Sequence, residues 1–170
     1  MSVKSQETNM RRLAELLGHD LSSIHGDRES GPNGDKKTFL HLGKVFLRAL
    51  AKDLGLHNAK VLSNNGGIGT SGECSLAGMW ESGGVYLCLS QIAGGRNVLL
   101  YRSIRSAKDH KGGCNHFLSH RDFASMSYPA LLDGLLALRK DTAYERPCRC
   151  PLSRHGQHQR PEDTAGDAAS

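Results

Sequence analysis

Aromatic residues and long apolar runs are scarce in this chain of 170 residues. Phe, Trp and Tyr together make up 5% of it, which leaves few rings for stacking against nucleic-acid bases. No stretch approaches the roughly 20 apolar residues that a membrane-spanning helix needs. The 20 glycines, by contrast, indicate many turns and loops. These counts predict a small protein that has no contact with a membrane.

The cysteines do not form a paired set. There are five of them, an odd number, and the polar residues 1–8 do not resemble a secretion signal. Disulfide frameworks favour even sets of cysteines and an oxidising compartment. We therefore expect a cytoplasmic protein with reduced thiols, in which Cys74 and Cys88 act as small apolar residues within strands.

The excess of positive charge is concentrated in one segment. The chain has 22 Lys and Arg against 17 Asp and Glu, a net charge of +5. Residues 102–121 alone hold five cations and one acid, whereas residues 141–170 hold four cations and five acids. A basic segment of this kind is suited to phosphates or to an acidic protein surface. The candidate partner-binding residues are Arg102, Arg105, Lys108, Lys111, Asn115 and Arg121.

Two helices are predicted in the first third of the chain. In residues 9–21, leucines recur at helical spacing. Residues 22–36 are polar and rich in turn formers, which predicts a flexible linker. From residue 38 to 54, apolar side chains recur every three or four positions and predict a long amphipathic helix. Gly55 is suited to the left-handed conformation that ends such a helix.

After residue 55 the hydrophobic period changes from 3.6 to 2, which is typical of strands. The short glycine-rich connections at 81–84 and 93–97 favour antiparallel neighbours, because a parallel pair needs a longer crossover. The sequence thus predicts a meander of three or four strands. Its strands are expected at 60–63, 73–80, 85–90 and 97–104.

A further helix is predicted to start at Pro129, since proline is favoured in the first turn. Residues 141–170 have few apolar side chains, which predicts a disordered tail. The expected fold class is therefore α+β: an antiparallel three- to four-stranded meander packed on one long helix, with a second, C-terminal helix. The expected organisation is a short helix and flexible linker at 1–36, an α+β core domain at 37–140 and the tail at 141–170.

An alternative to the basic binding loop is a metal-dependent nuclease. An acid, two imidazoles and an amide flank Gly112 and Gly113, and such groups can hold a divalent ion that activates water on a phosphodiester. The residues concerned are Asp109, His110, Asn115 and His116. In this alternative, Asp109, His110 and His116 are the catalytic residues.

A second alternative site lies in the tail. Cys148, Cys150, His155 and His158 are two thiols and two imidazoles, which is a legitimate tetrahedral zinc set. Their spacing is tighter than that of common zinc fingers, and few apolar residues surround them. The default prediction is therefore a tail without metal.

Four short runs carry a resemblance to a known group of proteins. They are Asn-Gly-Gly-Ile-Gly-Thr-Ser-Gly-Glu at 65–73, Val-Tyr-Leu-Cys-Leu-Ser at 85–90, Tyr-Arg-Ser-Ile at 101–104, and the loop that contains Lys108, Asp109 and Gly-Gly-Cys-Asn at 112–115. Across residues 38–120 the chain resembles small uncharacterised accessory proteins of phages, plasmids and integrative elements of Gram-negative bacteria. The resemblance implies a cytoplasmic protein that acts on host or element nucleoprotein, with inhibition of host defence (an anti-CRISPR role, for example) among the implied activities. It implies no catalytic residues.

The function favoured by the sequence is a non-enzymatic accessory binding protein that uses no cofactor. Its basic loop would engage nucleic acid or an acidic protein complex that handles nucleic acid. The nuclease is the first alternative, and a protein–protein interaction module is the second. The sequence does not indicate an oligomeric state.

Overall fold

The computed structural model describes residues 2–19, 21, 32–66, 70–92, 95–109 and 115–140. In this part of the chain, helices and an antiparallel sheet form an α+β fold. The elements are α1 (Val3–Gly18), α2 (Pro32–Asp53), β1 (His57–Asn64), β2 (Glu73–Trp80), β3 (Gly83–Ile92), β4 (Asn97–Ile104), β5 (His116–Ser119), α3 (His120–Ser125), α4 (Tyr128–Ala137) and a 3₁₀ turn (Leu138–Lys140).

The sheet is a meander in which each strand pairs with its neighbour in sequence, in the order β1-β2-β3-β4-β5. The antiparallel α+β architecture is thus confirmed. The expected number of three or four strands is wrong, because the described residues alone form a sheet of five. Strand β5 was missed because it has only four residues, of which Phe117 and Leu118 alone are large and apolar. The predicted disordered tail at 141–170 lies outside the described residues.

Helix α2 has the apolar stripe that its sequence predicts. Phe39, Phe46, Leu47 and Leu50 are fully buried. Its end is also as expected: Gly55 has φ +64°, and two backbone hydrogen bonds, Gly55 N to Lys52 O and Leu56 N to Ala51 O, are both 3.0 Å long. The helix starts at Pro32, earlier than expected, so part of the predicted linker is helical. The remainder of that linker lies outside the described residues.

The helices pack on one side of the sheet, which we call the core side. Helix α2 lies against β1 and β2, and the Trp80 Nε1 atom donates a hydrogen bond of 2.8 Å to Leu54 O at its end. Gly43 allows this close approach, because a Cβ atom there would lie 2.8 Å from the Cys74 Sγ atom. The side chain of Cys74 is fully buried beneath the helix.

Helix α1 belongs to the same hydrophobic core as the segment 37–140. Its residues Met10, Leu13 and Leu17 are buried with those of α2, α3 and α4. A polar contact joins the same helices: the Tyr128 hydroxyl donates to Asp53 Oδ2 at 2.7 Å and accepts from Gln6 Nε2 at 3.4 Å. Burial first, and then the hydrogen bond to Asp53, raise the pKa of Tyr128 above its usual value. The described fold therefore includes the first helix as a core element.

The other side of the sheet is partly exposed to solvent, and we call it the open face. Directly paired residues of antiparallel strands point to the same side, so the strand pairing identifies its members. It carries two parallel rows of side chains across the strands. The first row is Leu62, Ser75, Cys88, Leu100 and Phe117, and the second is Lys60, Ala77, Tyr86 and Arg102.

Candidate binding surface

The structure divides the predicted basic segment between two ends of one strand pair. Strands β4 and β5 are antiparallel, with Tyr101 opposite His116 and Asn97 opposite Ser119. The connection between them therefore lies at one end of the sheet, whereas Arg121 follows β5 at the other. Eight residues of strand span about 23 Å. Arg121 is exposed on α3 but does not adjoin Arg105 and Lys108.

Arg102 lies on the open face and is directly paired with Tyr86 of β3. Its guanidinium carbon is 5.1 Å from the centre of the Tyr86 ring, a cation–π arrangement. Its Nη2 atom also donates to the backbone oxygen of Asp109 at 3.4 Å. These contacts hold one positive charge in a defined place on the open face, beside the mainly apolar row from Leu62 to Phe117.

Arg105 and Asp109 close the turn that follows β4. The Asp109 Oδ2 atom accepts hydrogen bonds from the Arg105 backbone N at 3.0 Å and from Arg105 Nε at 3.1 Å. The Asp109 side chain is only 9% exposed and that of Arg105 is 62% exposed. Asp109 therefore offsets the charge of Arg105. The exposed residues Lys108 and Asn115 lie on either side of the segment that contains Lys111, which itself falls outside the described residues.

Asp109 and His116, the two described catalytic candidates of the nuclease alternative, do not form a common site. His116 is 3% exposed, lies on the core side and stacks on Tyr101, with 5.0 Å between ring centres. Asp109 instead contacts Arg102 and Arg105, and His110 lies outside the described residues. In the part of the chain that the structure describes, no three His, Cys, Asp or Glu side chains are grouped for a metal. The possible zinc set Cys148, Cys150, His155 and His158 falls outside that part.

Cys88 and Tyr86 remain protonated on the open face at neutral pH. Burial, and next the nearby Glu73 carboxylate, raise the pKa of Cys88 to about 11. Burial, and next Cys88, raise the pKa of Tyr86 to about 12. The Cys88 Sγ atom lies 3.7 Å from Glu73 Oε2, to which it donates a weak hydrogen bond. Among the residues that the structure places, the charges that border the centre of this face are therefore those of Lys60, Arg102 and Glu73.

Comparison with protein-family models, curated proteins and solved structures finds no match for this chain. The resemblance to accessory proteins of mobile elements accordingly stays a prediction. Among the described residues, no helix combines the length and the apolar character that crossing a membrane requires.

The sequence alone did not identify the open face as a surface. The alternation of Tyr86, Cys88 and Ser90 with Val85, Leu87 and Leu89 does separate two sides of β3. Which residues of the other strands join each side depends on the strand register, which is set by tertiary packing. The sequence therefore does not identify Leu62 as a member of this surface, although its side chain is 65% exposed in the structure.

Proposed function

We propose that the protein is a non-enzymatic interaction module whose open face binds an acidic, amphipathic segment of a protein partner. The observation that carries the proposal is the pair of rows on this face. The row from Leu62 to Phe117 is mainly apolar, and the adjacent row has a cation at each end, Lys60 and Arg102. Apolar contacts would supply affinity, and the two cations would select acidic residues.

The spacing of the two cations suggests the geometry of the partner. Lys60 and Arg102 are three strand spacings apart, which is about 14 Å. On an α-helix, about nine residues cover that distance at 1.5 Å each. Residues nine apart point to opposite sides of a helix, so the acids that share one side would be about seven or eleven positions apart. A helix that lies across the strands with Asp or Glu at that spacing would meet both cations while its apolar side covers Leu100 and Phe117.

The same surface is less suited to nucleic acid. Nucleic-acid binding depends on many phosphate contacts and on accessible aromatic rings. Counting only the described residues, the open face offers two cations, with the Glu73 carboxylate beside them, and one side of its Tyr86 ring is occupied by Arg102. An acidic protein that handles nucleic acid is therefore favoured over the nucleic acid itself. A role on a mobile element is the biological setting that accompanies this proposal.

Affinity capture from a bacterial lysate, with and without nuclease, tests the proposed function. We expect a protein that is retained after nuclease treatment and that is depleted at least tenfold when Arg102→Glu is used. Arg121→Glu makes the same charge change at the other end of the sheet and should capture normally. Ala77→Gln places a larger neutral side chain between Lys60 and Tyr86 and should also weaken capture.

Two results would overturn the proposal. Loss of all captured material after nuclease would indicate nucleic acid as the partner. Equal capture by Arg102→Glu and the unchanged protein would place the binding surface elsewhere. A salt titration also distinguishes nucleic acid from a protein partner. For duplex binding, log K falls by about 0.9 per phosphate contact for each tenfold rise in salt.

A further inference from the structure

Strand β1 is an edge of the sheet with an open hydrogen-bonding side. Within the described part of the chain only β2 pairs with it, so about half of its backbone N–H and C=O groups point outward. Seven of its eight residues are exposed. The opposite edge, β5, has four residues and runs directly into α3. Of the two edges, β1 is therefore the longer template for an added strand.

Most of β1 lacks the features that protect natural edge strands. Such strands are commonly blocked by prolines, several lysines or bulges. In β1 the irregularity is confined to the start, where Asn58 has φ +52° and the register with β2 shifts between His57 and Lys60. From Lys60 to Asn64 the pairing with β2 is regular, and Lys60 is the single charged residue.

We propose that β1 pairs in antiparallel fashion with β1 of a second copy of this chain, around a two-fold axis at Leu62. Leu62 is the middle residue of the regular segment, so an axis there pairs the whole segment with itself. It is also 65% exposed, the highest value among the large hydrophobic residues of the described chain. The axis places the two Leu62 side chains against each other and removes part of each from water.

The neighbouring pairs in this register are compatible. Val61 lies opposite Ser63, and Lys60 lies opposite Asn64. The Asn64 amide oxygen accepts a hydrogen bond from Gly66 N at 2.9 Å and has a second lone pair for the Lys60 amine. The two Lys60 residues are four positions apart along the strands, about 13 Å. That distance exceeds the Debye length of about 8 Å at physiological salt, so their repulsion is largely screened. No like charges face each other directly.

The resulting sheet has ten strands and keeps both open faces on the same side, because the axis is perpendicular to the sheet. The two Arg102 residues are then seven strand spacings apart, about 34 Å. One strand pair buries less than a standard interface of about 1,600 Å². We therefore expect a reversible dimer with a dissociation constant in the micromolar range.

Sedimentation analysis of the full chain, from about 1 to about 500 μM to bracket this range, tests the association. The average mass should rise from the monomer value of 18.4 kDa towards twice that value. Leu62→Asp places two carboxylates together and should weaken association at least tenfold. Val3→Asp is the matched control, since Val3 is 49% exposed on α1. A monomer at every concentration, or equal effects of the two variants, would overturn the proposal.

Oxidative cross-linking tests the register in a background in which Cys114, Cys148 and Cys150 are replaced by serine. Leu62→Cys should form a disulfide-linked dimer, because directly opposite Cβ atoms are about 5 Å apart. Ser63→Cys is its neighbour on the core side, and its two copies would be about 7–8 Å apart on the diagonal. Cross-linking of Ser63→Cys as strong as that of Leu62→Cys would contradict the register, as would association without any Leu62→Cys disulfide.

Discussion

The two sides of the sheet are made from alternate residues of the same strands, yet they are used differently. On the core side, Leu76, Leu87 and Tyr101 are fully buried against helices. On the open face, the intervening residues include Ala77, Tyr86 and Arg102, which stay partly exposed. The first side is determined by packing within the chain. On the open face, the partly exposed side chains are not needed to fill the core, so binding to a partner could determine which residues occupy these positions.

The contrast extends to charge. The core side of the sheet carries His116, stacked on Tyr101, as a buried titratable ring. The open face carries Lys60, Arg102 and Glu73 around an apolar centre. Apolar side chains with charges at their margin are typical of interfaces in which shape supplies affinity and charge supplies specificity. The comparison therefore predicts that changes on the two sides separate stability from binding.

The largest expected effect is a matched pair of leucine truncations. Leu87→Ala, on the core side of β3, should lower the free energy of unfolding by about 3 kcal/mol because it leaves a cavity among buried side chains. Leu62→Ala, at an exposed position of β1, should change it by less than about 0.5 kcal/mol. Urea unfolding at a protein concentration below that of dimerisation measures both. Similar losses in the two variants would contradict the distinction between the sides.

The sequence predicts an element accurately when the residues that determine it are close together in the chain. Strands β2 and β4 have the predicted bounds, 73–80 and 97–104, because alternation and glycine-rich turns are read within a few residues. Helix α1 was predicted over 9–21 but begins at Val3 and ends at Gly18. The additional first turns include polar Gln6, which is buried by its contact with Tyr128, 122 residues away. No local pattern contains that information.

The outcome for the candidate site follows the same rule. The sequence located the basic segment but not its division, because β5 reverses the chain between Lys108 and Arg121. It also treated Asp109 as a possible catalytic acid. In the structure that carboxylate is held by the Arg105 backbone and guanidinium groups. Spacing in sequence showed that these residues were near one another, but not which of them were already paired.

A smaller effect is expected from the two described thiols, which lie on opposite sides of the sheet. Burial raises the pKa of both Cys74 and Cys88 from the usual 9.0 to about 11. The native state therefore holds these protons more tightly than the unfolded state, so stability is complete below pH 9 and falls as the pH rises from 9 to 11. At pH 10 the loss is about 1 kcal/mol for each thiol.

Unfolding under reducing conditions at pH 8 and pH 10 measures this effect. Cys74→Ala and Cys88→Ala should each lose about 1 kcal/mol less than the unchanged protein between the two pH values. Other titrating groups are common to all three proteins and cancel in the difference. Tyr86 is the exception for Cys88→Ala, because Cys88 contributes to raising its pKa, so that comparison is made in a Tyr86→Phe background. If Cys88→Ala loses as much as the unchanged protein, the thiol on the open face is solvated and the two sides differ at this point as well.

The smallest expected effect concerns the Arg102–Tyr86 contact at the edge of the proposed binding surface. A double-mutant cycle of Arg102→Ala and Tyr86→Leu should give a coupling of about 0.5–1 kcal/mol, because the guanidinium stacks on the ring. Tyr86→Phe keeps the ring and should retain most of that coupling. Arg121→Ala is the control, since this exposed arginine on α3 should affect stability by less than about 0.5 kcal/mol. A coupling near zero would mean that contacts other than the Tyr86 ring, such as the one with the Asp109 backbone, hold Arg102 on the open face.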